Sequence, residues 1–287
     1  MTMIGADVDF EQADDPGTAT GRLAVLSTSE NPDVRTAVAE NPSTDPGTLL
    51  TLAADADVEV RLSVASNPSA DRSVLSMLAN DRDVDVLVAV AENPVADVET
   101  LTLLATHEAC EVRSAVAHHT ADSDLLRSLA SDTDPAVVAS VAANPHLPVP
   151  LLTMLAESVE TSVRIAVAQN SGCAGSLLDR MLDDPDGRVG AAAAANPNMA
   201  EAKVVALASD PAAEIRDGAL SNPNITACHL SELAQHLNAD VRAAVAANSR
   251  LPVEAMAVLA SDDEWLVRYF LSQNPNLPLD LRETLDV

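Results

Sequence analysis

The stretch Val34-Arg35-Thr36-Ala37-Val38-Ala39-Glu40-Asn41-Pro42 decides the fold, because its pattern returns along nearly the whole chain. Its asparagine recurs at a constant interval of 26 residues, as from Asn41 to Asn67, and one interval is shorter by a single residue. A fixed period of this length predicts a solenoid, in which each repeat buries its apolar face only against its neighbours. The ten positions in this register are Asn41, Asn67, Asn93, His119, Asn144, Asn170, Asn196, Asn222, Asn248 and Asn274.

A leucine-rich segment follows each asparagine, as in Leu49-Leu50-Thr51-Leu52, and an acidic connector such as Asp55-Ala56-Asp57 leads into the next repeat. Half a repeat, Leu23-Ala24-Val25-Leu26, precedes the first complete one. The array is therefore predicted to fill residues 21–287 as a single solenoid. Residues 1–20 are acidic and show no periodicity, so they are predicted to be a disordered tail.

Both segments of the repeat are predicted to be short helices. Val34, Ala37 and Val38 fall on one stripe at helical spacing, and the chain does not alternate apolar and polar residues as a half-buried strand does. The Asn-Pro pair ends the first helix, and Asp45-Pro46 has the sequence of a helix start. Helices of two or three turns are not stable alone, so stacking must stabilise them.

The repeat resembles the leucine-rich repeat variant family in three motifs: Val-Arg-x-Ala-Val-Ala-x-Asn-Pro, Leu-Pro-x-x-Leu-Leu-x-x-Leu-Ala and Asp-x-Asp. All ten repeats take part in the resemblance, whereas the repeats of HEAT and armadillo arrays are longer, at about 40 residues. The resemblance implies an all-α, right-handed superhelical solenoid in which α-helices alternate with short 3₁₀-type helices. Some family members also carry a cysteine cluster for an iron–sulfur centre. Residues 1–109 contain no cysteine, so that feature is not carried over.

Charge restricts the classes of partner. The chain has 44 acidic residues against 16 Lys and Arg, giving a formal net charge of −28. Direct binding of nucleic acid or of an anionic membrane needs cationic surface, so neither is expected. No apolar stretch is long enough to span a membrane and no signal peptide is recognisable, so a cytoplasmic location is expected.

An arginine occupies the second position of the motif in seven of the ten repeats, after valine in six of them and after Ile215 in the other. These arginines could form a basic stripe for an anionic partner, or an internal ladder paired with connector acids such as Asp57 and Asp83. The ladder is favoured because the acids recur in register with the arginines. Its members are Arg35, Arg61, Arg113, Arg164, Arg216, Arg242 and Arg268.

The residue after the arginine should point away from the core, yet it is often apolar, as at Leu62, Val88 and Ile165. This row is either a groove for a partner or packing against the next repeat. Trp265 and Tyr269 cluster in the last repeat. They could anchor a partner or close the end of the solenoid.

The fourth repeat departs most from the pattern, with His118-His119 in place of the Asn-Pro region and His107 and Cys110 upstream. These are zinc-binding residue types, but Cys110 and the His118-His119 pair lie near opposite ends of one helix, about 12 Å apart at 1.5 Å per residue. Helix capping explains the Asp-x-Asp connectors better than calcium binding does. No metal or cofactor is therefore expected, and no catalytic constellation stands out from the repeats.

These observations predict a non-enzymatic scaffold for an unknown protein or peptide. Two alternatives remain: an acidic mimic of nucleic acid that occupies a DNA-binding protein, and an enzyme-like solenoid related to HEAT-type nucleic-acid glycosylases. The missing site and the negative charge disfavour the second.

Overall fold

The computed structural model describes residues 3–285, which hold 22 helices and no strand. Two kinds of helix alternate. We call those that end at or just before a register position the asparagine helices, together with the first helix, which ends just before the equivalent position one repeat earlier, and we call those that carry the leucine run the leucine helices. The chain divides into two compact units, Met1–Leu147 and Pro148–Val287. The predicted single solenoid over 21–287 stays a prediction, and each unit is described by itself.

The N-terminal unit begins with an asparagine helix and alternates from there. Its asparagine helices are α1 (Met3–Asp14), α3 (Pro32–Glu40), α5 (Val58–Ser66), α7 (Val84–Glu92), α9 (Cys110–His119) and α11 (Pro135–Ala143). Its leucine helices are α2 (Thr20–Leu26), α4 (Pro46–Leu52), α6 (Arg72–Leu78), α8 (Val98–Leu104) and α10 (Ser123–Leu129).

The C-terminal unit begins with a leucine helix. Its leucine helices are α12 (Val149–Leu155), α14 (Gly175–Met181), α16 (Glu201–Leu207), α18 (Ala227–Leu233), α20 (Val253–Leu259) and α22 (Leu279–Thr284). Its asparagine helices are α13 (Thr161–Gln169), α15 (Gly187–Ala195), α17 (Ala213–Ser221), α19 (Ala239–Ala246) and α21 (Trp265–Ser272). The all-α prediction is confirmed. The short leucine helices are α-helical, and the described residues contain no 3₁₀ helix.

The sequence pattern builds each repeat in the same way. Val34 and Val38 of α3 and Leu49 and Leu52 of α4 are almost completely buried, and burial of one such side chain stabilises by about 1.5–3 kcal/mol. The Asp45 side chain accepts hydrogen bonds from the first backbone amides of α4, which confirms the predicted helix start. Successive asparagine helices pack against one another within each unit, so stacking supplies the stability that helices this short lack.

The prediction of a disordered tail at residues 1–20 is wrong over the described residues, because α1 is an asparagine helix. Ala13 is fully buried. Asn41 Nδ2 donates to the carbonyls of Ala13 (2.8 Å) and Asp15 (2.9 Å). Asn67 Nδ2 makes the same two bonds one repeat later, to Ala39 (2.6 Å) and Asn41 (3.0 Å). The array therefore begins before Gly21, with a helix whose side chains lack the Val-Arg pattern.

Candidate functional site

The register asparagines tie each repeat to the one before it. Asn93 Nδ2 donates to the carbonyls of Ala65 (2.7 Å) and Asn67 (3.1 Å), and Asn93 Oδ1 accepts from the amide of Val95 (3.0 Å). Asn196 in the C-terminal unit makes the equivalent three bonds. Both ends of the amide are thus used on backbone groups left open at helix ends, so these asparagines hold neighbouring repeats together.

The arginines form the second repeated contact. Arg61 Nε donates to Asp81 Oδ2 at 2.6 Å and Nη2 donates to Oδ1 at 3.1 Å, while Nη1 donates to the Asp55 carbonyl at 2.9 Å. We call such a bidentate pair a complete rung. Each rung joins an asparagine helix to the next connector, and its acid comes 19 or 20 residues after the arginine. The described residues hold five: Arg35–Asp55, Arg61–Asp81, Arg113–Asp132, Arg164–Asp184 and Arg242–Asp262.

The rungs alter the ionisation of their members. The hydrogen bond from Arg164 lowers the pKa of the Asp184 carboxyl, and the same bond raises the pKa of the Arg164 guanidinium. Both side chains are about nine-tenths buried, at 12% and 9% exposure. Charged hydrogen bonds in such surroundings are short and directional, so these arginines are held away from any external anion.

The sequence prediction named the wrong acids for these pairs. Asp57 and Asp83, the second acids of their connectors, cap the following helices by accepting from the amides of Glu59 and Asp85. The first acid of each connector is the one that takes the arginine. Of the other two predicted ladder members, Arg268 donates to the Asp262 carbonyl at 2.7 Å, and Arg216 donates to the Asp210 carbonyl at 3.1 Å.

The exposed face of the asparagine helices carries the predicted partner row. In the N-terminal unit Leu62 and Val88 are half-buried, so each keeps part of its side chain open to solvent. Exposed carboxylates stand in the first turn of four successive asparagine helices and flank this row. They are Asp33, Glu59, Asp85 and Glu111. We call this surface the acidic face.

A cleft of about 890 Å³ lies on the acidic face beside α1. Asp33, Glu40 and Glu59 line it together with Thr36, which is the member of the partner row in that repeat. Phe10, 43% exposed, forms part of its wall. The cleft therefore joins apolar surface to several carboxylates.

In the C-terminal unit Ile165 is half-buried on α13, and the predicted aromatic residues lie on α21. The Trp265 and Tyr269 rings stack at 5.2 Å between centroids, and they are 53% and 40% exposed. Val267 and Leu271 on the same helix are fully buried. The two rings are therefore held on the solvent side of a helix fixed by its apolar face.

A second cleft, of about 650 Å³, opens between α17 and α19. Its lining combines Leu220, Leu266 and Phe270 with the charged residues Arg216 and Asp217. Desolvation raises the pKa of Asp217, the neighbouring Glu214 adds to the rise, and Arg216 opposes it. We call this the rung cleft, because Arg216 occupies an arginine position of the ladder.

The histidines of the fourth repeat are spread along the chain as expected. His107 Nδ1 accepts from the amide of Ala109 at 3.1 Å, and His119 Nε2 lies 3.9 Å from a Glu92 carboxylate oxygen. Within residues 3–285 no group of three or more His, Cys, Asp or Glu side chains is placed to hold a metal ion.

Two parts of these surfaces were missed at the sequence level. The signal for α1 was present, since Ala13, Asp15 and Pro16 stand 26 residues before Ala39, Asn41 and Pro42. That signal would have placed Phe10 on a helix next to Asp33, the first carboxylate of the acidic face. The rung cleft has a fainter signal, namely His236 at the place of a rung acid.

Comparison with known proteins places the fold. Residues 32–57 match the family model described as leucine rich repeat variant. A solved structure described as a leucine-rich repeat variant with a novel repetitive structural motif is 24% identical, with a TM-score of 0.53 over 86% of this chain and 96% of that one. An engineered protein is matched at 16% identity over 98% and 95% of the chains, but its TM-score is only 0.27. No curated protein matches the sequence. None of the described helices is long and apolar enough to cross a membrane.

Proposed function

We propose that this helical repeat protein, whose fold resembles that of a leucine-rich repeat variant, is a non-enzymatic scaffold that binds a basic partner polypeptide on its acidic face. The observation that carries the proposal is the acid-flanked row of the N-terminal unit. Leu62 and Val88 offer apolar contact there, and the four carboxylates from Asp33 to Glu111 offer charge.

The chemistry of the side chains supports a binding role over a catalytic one. Most groups with a displaced pKa belong to complete rungs or to helix caps, as Asp184 and Asp45 do. Shifts of this kind follow from structural hydrogen bonds and leave no general acid or base poised for a substrate. A net charge of −28 favours encounter with a positively charged partner, and this attraction falls as salt increases.

Mimicry of nucleic acid is the second candidate, and charge spacing separates it from the first. Packed helices lie about 8–10 Å apart, so a row with one carboxylate per asparagine helix has that spacing. Duplex DNA carries about one negative charge per 1.7 Å of helix axis when both strands are counted. The linear charge density of the acidic row is lower than that, and Leu62 and Val88 place apolar surface beside the acids, which favours a polypeptide with separated basic residues.

Selection of peptides from a displayed random library on the intact protein tests the proposal. Binders rich in Lys and Arg with interspersed apolar residues are expected. The double variant Glu59→Lys, Asp85→Lys should weaken a selected peptide about tenfold or more, which corresponds to about 1.4 kcal/mol.

A matched control is the double variant Glu99→Lys, Asp124→Lys. These two exposed acids also stand in the first turns of their helices, but on leucine helices α8 and α10. The control thus reverses the same charge at the same helix-dipole cost and should leave binding unchanged. An equal loss of peptide affinity in both double variants, or selection of neutral peptides, contradicts the proposal. Displacement of the peptide by duplex DNA at low salt would favour mimicry.

A further inference from the structure

Among the residues that the structure describes, Arg216 of the ladder has no carboxylate within ion-pair distance. Arg216 is 8% exposed, and its Nη1 donates to the Asp210 carbonyl at 3.1 Å as other rung arginines donate to their connectors. Its Nε is buried and has no hydrogen-bond partner in the part of the chain that the structure describes. In all five complete rungs, Nε and Nη2 bind the two oxygens of one aspartate.

The missing acid has a simple origin. Rung acids such as Asp184 stand 20 residues after their arginine, and the residue at the same distance after Arg216 is His236. His236 Nδ1 accepts from the amide of Asn238 at 3.1 Å, just as Asp184 Oδ1 accepts from the amide of Asp186 at 2.9 Å. The histidine thus preserves the turn but supplies no carboxylate, and a neutral imidazole bonded in this way carries its proton on the other nitrogen.

The helices around the gap are displaced from the regular stack. α17 packs more closely on α15 than on α19. Glycine permits this approach, because a Cβ at Gly218 would lie 2.3 Å from the Ala191 carbonyl oxygen. On the far side, Arg250 Nη2 donates to the carbonyls of Leu220 (2.7 Å) and Asn222 (2.9 Å). In other repeats the carbonyl equivalent to that of Asn222 accepts from the next register asparagine, as the Asn170 carbonyl does from Asn196. The rung cleft opens between these two changes.

The lining of the rung cleft defines the ligand that would fit it. Arg216 lacks the carboxylate that every complete rung places on its Nε, and a buried donor without an acceptor is destabilising. Leu220, Leu266 and Phe270 offer apolar surface, while Asp217 and Asp240 offer acceptors for an N–H group. A volume of about 650 Å³ is within the range of small-ligand sites.

We propose that the rung cleft binds an apolar N-acylamino carboxylate, the chemistry of the carboxyl-terminal residue of a peptide. The ligand's carboxylate accepts hydrogen bonds from the Arg216 guanidinium, which lines the cleft and has no carboxylate of its own. Its amide N–H faces Asp217 or Asp240, and its side chain packs against Leu220 and Phe270. The site lies wholly in the C-terminal unit, so it does not depend on partner binding at the acidic face.

Calorimetric titration of the full chain with three probes tests the chemistry. The probes are acetyl-Leu-Phe with a free carboxylate, the same dipeptide as its carboxyl amide, and acetyl-Phe with a free carboxylate. Binding of the acid at least tenfold tighter than the amide is expected, because only the acid can complete the rung. If acetyl-Phe binds as well as the dipeptide, the source is a free acylamino acid; if it binds more weakly, the source is a peptide terminus. Equal binding of acid and amide, or no binding at millimolar concentration, overturns the proposal.

A substitution that fills the rung tests the location. His236→Asp gives Arg216 its own carboxylate, so this variant should lose binding of acetyl-Leu-Phe while melting at a temperature no lower than the wild type. The matched control is His107→Asp, which changes the same connector position in a repeat where Leu87 replaces the arginine. The control adds the same charge and should keep wild-type affinity. Undiminished binding to folded His236→Asp protein overturns the assignment to this cleft.

Discussion

The Arg164–Asp184 rung and the Arg216–His236 position lie in the same unit and differ in one residue. The first pair closes a bidentate contact with Nε–Oδ2 at 2.7 Å. The second leaves the arginine Nε buried without a partner among the described residues. A cleft stands beside the second, and α17 there carries Gly218, where an added Cβ would lie closer to a neighbouring backbone atom than at any other glycine of the described residues. The comparison shows that a repeat can lose a rung and remain helical, because the turn and the charge pair are separate functions of the connector acid.

The comparison also shows what the register asparagines contribute. Asn196 makes two bonds to the preceding repeat, to Ala168 and Asn170. Asn248, beside the rung cleft, donates to the Leu220 carbonyl at 2.8 Å, and Arg250 shares that carbonyl. Arg250 therefore shares the hydrogen bonding of a register asparagine in the region where Arg216 lacks its carboxylate.

Removal of the two arginines should have unequal effects, and this is the largest difference we expect. Arg164→Ala strands the nearly buried Asp184 carboxylate, and loss of one partner of a buried pair costs about 3–5 kcal/mol. Arg216→Ala leaves no rung acid behind, so its cost should be nearer to about 1 kcal/mol, from lost packing and one hydrogen bond. Urea denaturation followed by circular dichroism measures both free energies of unfolding. Equal losses of unfolding free energy in the two variants would mean that the pairing of Asp184 with Arg164 does not stabilise the fold.

Gly218→Ala tests whether α17 must approach α15 as closely as it does. The added methyl would lie 2.3 Å from the Ala191 carbonyl oxygen, so the helices must separate. Overpacking of this kind costs about 1–3 kcal/mol, and the midpoint of thermal unfolding should fall accordingly. The control is Gly21→Ala on α2, where an added Cβ meets nothing within 4 Å. That change should raise stability by about 0.4–1 kcal/mol, and a fall of similar size in both variants would argue against a specific clash.

The repeat register was readable in the sequence because each position has the same environment in every repeat. Val34, Val38 and Asn41 recur for packing and capping reasons that depend only on neighbouring repeats, so periodicity predicted the helices and their ends. The identity of the rung acid was not readable. Asp55 and Asp57 stand close together in one connector, and only the side-chain directions in the folded connector decide which one binds arginine and which one caps a helix.

The clefts were hidden for a different reason. α1 lacks the Val-Arg pattern, so its place in the array rests on Ala13 and Asp15, whose carbonyls meet Asn41. The rung cleft arises where several departures coincide, including Gly218 and His236. Each departure alone looks like drift in a repeat. Only their positions in the fold show that they meet around Arg216.

His236→Asp should sharpen the comparison through stability alone. A carboxylate at this position would meet Arg216 as Asp184 meets Arg164, and a hydrogen bond to a charged group contributes about 1.5–3 kcal/mol before the cost of ordering the side chain. A net gain of about 1 kcal/mol in the free energy of unfolding is expected in neutral buffer. His107→Asp, which has no arginine to meet, should show no gain. A gain in both variants would point to a general effect of the added charge on the connector turn.

The smallest effect concerns Asp217, whose pKa is shifted in the direction opposite to that of the rung acids. Asp184 has a lowered pKa when folded, so its contribution to stability is present above the unfolded value, near about 3.9, and is lost as the pH falls through the folded value. Asp217 has a raised pKa, chiefly from desolvation, so the folded protein holds its proton to higher pH than the unfolded chain does. Its stabilising contribution is present below the unfolded pKa and is lost as the pH rises through the folded one. Asp217→Asn cannot titrate, so its stability relative to the wild type should rise modestly as the pH increases from the unfolded pKa of an aspartate, about 3.9, through the higher folded pKa. Thermal melts across that range, with Asp240→Asn as the control in the same cleft, measure the difference, and a stability difference that is flat with pH would show that Asp217 is as well solvated when folded as when unfolded.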